Sequence, residues 1–114
     1  MVKERITLSR AIEGYFITAN ARRLSPHTLR DYDTTFRRFE AYLNRDPPLA
    51  SLQPADVRGF LGSLNGLSAK TVRNYHAGLS ALWTWALKEG LVGQHIVRAV
   101  HPPKPEKRAI LPYT

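Results

Sequence analysis

The chain has 114 residues, room for one compact domain and too few for two. Lys and Arg number 17 against 9 acids, a formal charge of +8 that points to an anionic partner, either nucleic acid or a membrane surface. With no cysteine and no apolar run near the ~20 residues of a membrane span, a disulfide framework, a thiolate metal site and a transmembrane helix are all excluded.

The opening residues MVKERITLSR lack the apolar stretch of a secretory signal, so a cytoplasmic protein is expected. Thr7 or Ser9 caps a first helix that runs to about Asn20, with Leu8, Ile12, Tyr15, Phe16 and Ala19 on one apolar face. Ser25-Pro26 then signals a second start, a capping hydroxyl followed by proline at the first helical position, where its missing N–H costs nothing. That helix is expected to reach Asn44. Leu29, Tyr32, Phe36, Phe39 and Leu43 form its core stripe. The opposite stripe is basic and polar, with His27, Arg30, Thr34, Arg37, Arg38 and Arg45, and Asp31 and Asp33 are read as flanking it.

Asp46-Pro47-Pro48 ends the second helix. A third begins at Gln53-Pro54 and uses Val57, Phe60, Leu61 and Leu64; Gly59 and Gly62 are expected at close helix contacts and Gly66 at its end. The fourth helix runs from a Ser68 cap to a stop at Gly90, burying Val72, Tyr75, Leu79, Leu82, Trp83 and Ala86. Its other face carries Lys70, Arg73, Asn74, Ala77, Ala81, Thr84 and Lys88, cationic at first and then short of bulk. Trp85 projects away from the apolar stripe, either under the C-terminal tail or toward a partner. Ile96, Val97 and Val100 suggest a turn or two of further helix, after which HPPKPEKRAILPYT has the composition of a stiff linker. Strand patterns and internal repeats are not evident. The pattern is that of an all-α bundle of four main helices, or five with the last short one.

Catalytic chemistry finds no support in these residues. The four histidines lack metal-pair spacing and have no carboxylate cluster, no glycine loop cradles a phosphate, and no nucleophile has both a base and an orienting group. No cofactor, metal or small-molecule substrate is therefore expected. What stands out is two basic helix faces whose starts are rich in hydroxyls: Ser25 and Thr28 in one, Ser68 and Thr71 in the other. Helix starts favour phosphate through free N–H groups and the helix dipole. Arg22 and Arg23 precede one start, and Lys70 and Arg73 lie inside the other. Capping alone accounts for the serines; the paired cationic faces point to a phosphate-bearing partner, nucleic acid among them.

The pattern Leu24-Ser25-x-x-Thr28-Leu29-x-x-Tyr32-x-x-x-Phe36-x-x-Phe39-x-x-x-Leu43 resembles the second helix of the N-terminal core-binding domain of tyrosine recombinases, the phage-integrase family. Residues 52–61 are similar to that domain's third helix, and Leu67-Ser68-x-x-Thr71-Val72-x-x-Tyr75-x-x-x-Leu79-x-x-Leu82-Trp83-x-x-Ala86 to its fourth. Pro103-Lys104 and Leu111-Pro112 resemble the linker to the catalytic domain. The resemblance implies a SAM-like domain at residues 1–100, one jaw of a clamp whose second and fourth helices cross at the major groove of a recombination half-site. It implies a linker at residues 101–114 and a catalytic domain beyond it, so this chain is expected to be no enzyme itself. Double-stranded DNA is the implied partner, with other recombinase protomers on it. Carried over by position, the expected DNA contacts are Ser25, Thr28 and Arg30, then Ser68, Lys70, Thr71, Arg73 and Asn74, with Ala77 allowing close approach and Lys104, Lys107 and Arg108 meeting phosphate from the linker. Arg22, Arg23, His27, Thr34 and Arg37 complete the expected surface, and Arg30, Arg73 and Asn74 are expected to read base edges. Two rival readings remain open from the residues alone: a free-standing helical DNA-binding regulator, and a helical protein-interaction module.

Overall fold

A computed structural model describes residues 6–103, in the order α1 (Leu8–Ala21), α2 (Pro26–Leu43), a 3-10 turn (Leu49–Ser51), α3 (Pro54–Gly62) and α4 (Ala69–Lys88). The described residues form no strand, only an isolated bridge between Thr7 and Pro48. This is the all-α bundle the sequence implied.

The helix starts follow their capping residues. Thr7 caps α1 by accepting from the Arg10 N–H, and Ser25 and Ser68 cap α2 and α4. Ser9, the other candidate cap for α1, has a different partner: its N–H and hydroxyl both donate to the Asp46 carboxylate, at 2.9 and 2.6 Å. The Ser9 hydroxyl bond is the main reason the Asp46 pKa lies below its usual value. Leu8 N–H to Pro47 O and Leu49 N–H to Ile6 O, both 2.8 Å, lock the same junction. Asp46-Pro47-Pro48 thus does more than end α2: it supplies the anion and the carbonyl that hold the start of α1.

α2 and α4 are the longest elements, at 18 and 20 residues, and they cross at a point set by side-chain size. A Cβ on Gly78 of α4 would stand 3.1 Å from Cγ2 and Oγ1 of Thr35 on α2. Glycine is therefore what lets the helices approach this closely. Thr35 is itself buried and donates its hydroxyl to the Asp31 carbonyl at 3.1 Å, so no polar group is stranded at the contact. Phe36, Phe39, Leu79, Leu82 and Trp83 continue from it into the core. α1 packs across one end, where Tyr15 meets Phe36 edge-on; α3 closes the other, where Phe60 lies 5.1 Å from Phe39.

Several expectations change at the periphery. α3 stops at Gly62, before Gly66, which instead lies in the following loop with φ of +90°. Gly59 does lie against Tyr42, but among the described residues nothing stands within 4 Å of where a Cβ on Gly62 would be. Trp85 is half-buried against α1: its indole N–H donates to Thr18 Oγ1 at 3.1 Å and its ring meets Tyr15 edge-on, while the tail from residue 104 lies outside the described residues. α4 ends as expected, with Gly90 at φ +76° and Leu91 N–H returning to Ala86 O at 2.9 Å. Ile96, Val97 and Val100 form turns rather than a helix, and all three are buried.

Candidate nucleic-acid interface

Where α2 and α4 diverge from their crossing they leave an open cleft. Thr28, Asp31, Tyr32, Thr34 and Thr35 line it from α2; Thr71, Asn74, Tyr75 and Ala77 line it from α4. The two helix starts that frame the cleft are built alike. In α2 the Ser25 hydroxyl oxygen accepts from the Thr28 N–H at 3.1 Å and its O–H donates to Thr28 Oγ1 at 3.0 Å. In α4 Ser68 and Thr71 make the same two bonds at the same two distances. The chemistry repeats because the sequence does: LSPHTLRDY at 24–32 and LSAKTVRNY at 67–75 agree at Leu, Ser, Thr, Arg and Tyr. The expectation that the chain holds no internal repeat is thus corrected at this short scale.

The structure gathers Thr28, Thr34, Thr71, Asn74 and Ala77 into the cleft, with Ser25 and Ser68 capping the helices on either side. Lys70 is exposed one helical turn before Asn74, and Arg30 is exposed one turn before Thr34, so both cations flank the cleft. Arg22 and Arg23 are exposed in the turn between α1 and α2.

Two expected members sit elsewhere. Arg37 donates to Asp33 at 2.8 Å and both line the groove between α1 and α2, away from the cleft. Arg73 is half-buried rather than presented, and its Nη1 is enclosed with no hydrogen-bond partner among the described residues. It lies on the side of α4 that carries residues 91–103. There His76 Nε2 contacts the carbonyls of Val97 and Val100 at 3.1 and 2.7 Å, and Thr84 Oγ1 lies 3.0 Å from His95 Nε2. The Arg98 N–H donates to His95 Nδ1 at 3.0 Å, so the neutral ring carries its proton on Nε2. Burial, then the charge of Arg98, lowers the His95 pKa. Lys104, Lys107 and Arg108 lie outside the described residues.

Two residues were misplaced or passed over. Asp31 does not flank the polar face; it lines the cleft, 3.3 Å from the imidazole of His27, while Asp33 lies on the α1 side. Arg38 holds its guanidinium over the Tyr75 ring at 5.8 Å and so ties α2 to α4 across their contact. Spacing on the helix offered a signal for both. Residues two apart point about 200° away from one another, so Asp31 and Asp33 do not share an edge, whereas Arg38 falls one heptad after Asp31.

Among the described residues no group of His, Asp or Glu is arranged to hold a metal, and no helix is long and apolar enough to cross a membrane.

The bundle is that of integrase N-terminal domains. A lambda integrase dimer bound to a COC′ core site superposes with a TM-score of 0.79 at 22% identity, over 90% of this chain and 38% of the other. The integrase of mycobacterium phage Brujita gives 0.73 at 22% identity, over 93% of this chain and 35% of that one. The sequence places it further. Residues 12–90 match the phage integrase N-terminal SAM-like domain family, and the chain belongs to that family. Curated relatives include tyrosine recombinase XerC of Mesorhizobium japonicum, 32% identical over 105 residues, and that of Rhizobium meliloti, 34% identical over 98. The matches cover 84% and 78% of this chain, but only 34% and 31% of those proteins: the chain spans about a third of their length.

Proposed function

We propose that this chain is the DNA-binding jaw of a site-specific tyrosine recombinase, seating duplex DNA in the α2–α4 cleft. The observation that carries the reading is the pair of identically built helix starts opening on one cleft, flanked by Arg30 and Lys70. Two oriented sets of N–H groups, with mobile cations beside them, suit phosphates of two strands better than one small anion. The absence of bulk at Ala77 leaves room for a base edge or backbone to approach. Lambda integrase, of the same fold, has been seen as a dimer on a core site and as a tetramer on a Holliday junction. In this reading residues 1–100 are the binding domain, residues 101–114 lead on as a linker, and cleavage and rejoining belong to a catalytic domain that follows. Arg22, Arg23 and the linker cations Lys104, Lys107 and Arg108 would add phosphate contacts, and other protomers would be the protein partners.

The test is fluorescence-anisotropy titration of duplex DNA across a salt series, with wild type and an Arg30→Ala/Lys70→Ala variant. Affinity should fall steeply with salt, and the variant should bind more weakly with a slope shallower by about one to two. A folded wild type that does not bind duplex at low salt would sink the reading and leave the interaction module.

A further inference from the structure

Asp31 is the sole acid among the described residues lining a cleft that is otherwise hydroxyl, amide, aromatic and methyl. Local structure does not account for it. It lies beyond the first turn of α2, so it is no cap, and α2 has no acid in that turn. The bond to Thr35 is accepted by its backbone carbonyl, not by the carboxylate. Its carboxylate meets His27 alone among the described residues, at 3.3 Å with the two side chains 77% and 63% exposed, a pairing that water and salt reduce to little. A carboxylate held there would repel a phosphate backbone. It is tolerated in a DNA cleft only where DNA presents a donor, and on base edges in the major groove the donors are exocyclic amino groups.

The repeat gives the same position a second time. Asp31 is the sixth residue after the Ser25 cap and Asn74 the sixth after the Ser68 cap, and both line the cleft. The first accepts hydrogen bonds only, whereas the second donates and accepts. Building on the DNA-binding reading above, we propose that Asp31 is a specificity-determining residue that accepts from cytosine N4 in the major groove, with Asn74 the second reader on the facing helix. The carboxylate works in two ways. It rewards a cytosine, and it penalises registers in which a phosphate or a carbonyl-bearing base edge would fall against it.

The experiment is selection from a randomised duplex library at fixed moderate salt, with wild type, Asp31→Asn and Asp31→Ala, each checked for folding by circular dichroism. Wild type should enrich cytosine at one position. Asp31→Asn should lose that preference by about tenfold or shift it toward adenine, and leave the other positions unchanged. Both variants should bind bulk duplex at low salt at least as well as wild type with the same salt slope, since a negative charge has gone. Variant profiles superposable on a selective wild type would overturn the proposal and leave the DNA-binding reading standing. So would a wild type that binds without base preference. A folded wild type that does not bind duplex at all would remove both.

Discussion

The starts of α2 and α4 share five residues of nine and the same pair of capping bonds, yet the fold uses them differently. Tyr32 turns toward α1, 6.2 Å from Tyr15, whereas Tyr75 turns toward α3, 6.3 Å from Phe60 and beneath Arg38. Arg30 stays in solvent, whereas Arg73 is half-buried on the side of α4 that carries the C-terminal segment. A local motif therefore decides where a helix begins and how its first turn is satisfied. What its later residues do is decided by the neighbours the fold delivers. The two copies are an internal control for one another.

The largest effect should come from forcing the copies apart. Gly78→Val would place a branched side chain where even a Cβ stands 3.1 Å from Thr35, itself stiff and buried. Overpacking at such a point costs about 2 kcal/mol, against which valine recovers only about 0.4 kcal/mol of helix propensity relative to glycine. Thermal denaturation should show a fall in Tm of about 10 °C. Thr35→Ala in the same chain should restore much of it, because Cγ2 and Oγ1 are the atoms met first. A Gly78→Val chain as stable as wild type would mean that the helices are not held at this crossing.

The cap pair should show the smaller, matched effect. Ser25→Ala and Ser68→Ala each remove the acceptor of one N–H and the donor to one threonine, and each should cost about 1 kcal/mol by urea denaturation. Equal costs would confirm that the copies are equivalent as caps. A markedly larger cost at Ser68 would show that α4, with its buried Val72, is the more cooperative of the two starts.

The same contrast explains what could be read from the chain before its fold was known. Ser25, Ser68 and Gly90 were legible because capping depends on residues within a turn of the helix end. The core stripes of α2 and α4 were legible for the same reason, since periodicity is local. The hold on α1 was not: Asp46 comes from 37 residues further along, and nothing in Thr7-Leu8-Ser9 announces it. Trp85 was left without a place because its partners, Thr18 and Gly14, belong to another helix. In the cleft, hydroxyls and cations stood out by type. Arg37 was placed there by its helix face and Arg73 by the resemblance. The pairing of Arg37 with Asp33 four residues earlier is local and could have been read from the sequence, whereas the packing that half-buries Arg73 is tertiary.

The two arginines offer the finest test. At Arg73 a guanidinium nitrogen is shut away from solvent without an acceptor among the described residues, a cost that methionine, of similar length and uncharged, does not carry. Arg73→Met should hold or raise stability by up to about 1 kcal/mol, while Arg30→Met, at an exposed position, should leave it unchanged. On DNA the order should invert. Arg30→Met should lower the salt slope by about one, as the loss of a phosphate contact does, and Arg73→Met should leave the slope at the wild-type value. If Arg73→Met flattens the slope instead, the side chain must leave its enclosed position when DNA arrives. The buried, unpartnered Nη1 would then be energy held in the free protein and released on binding, and the two copies would act alike on the duplex after all.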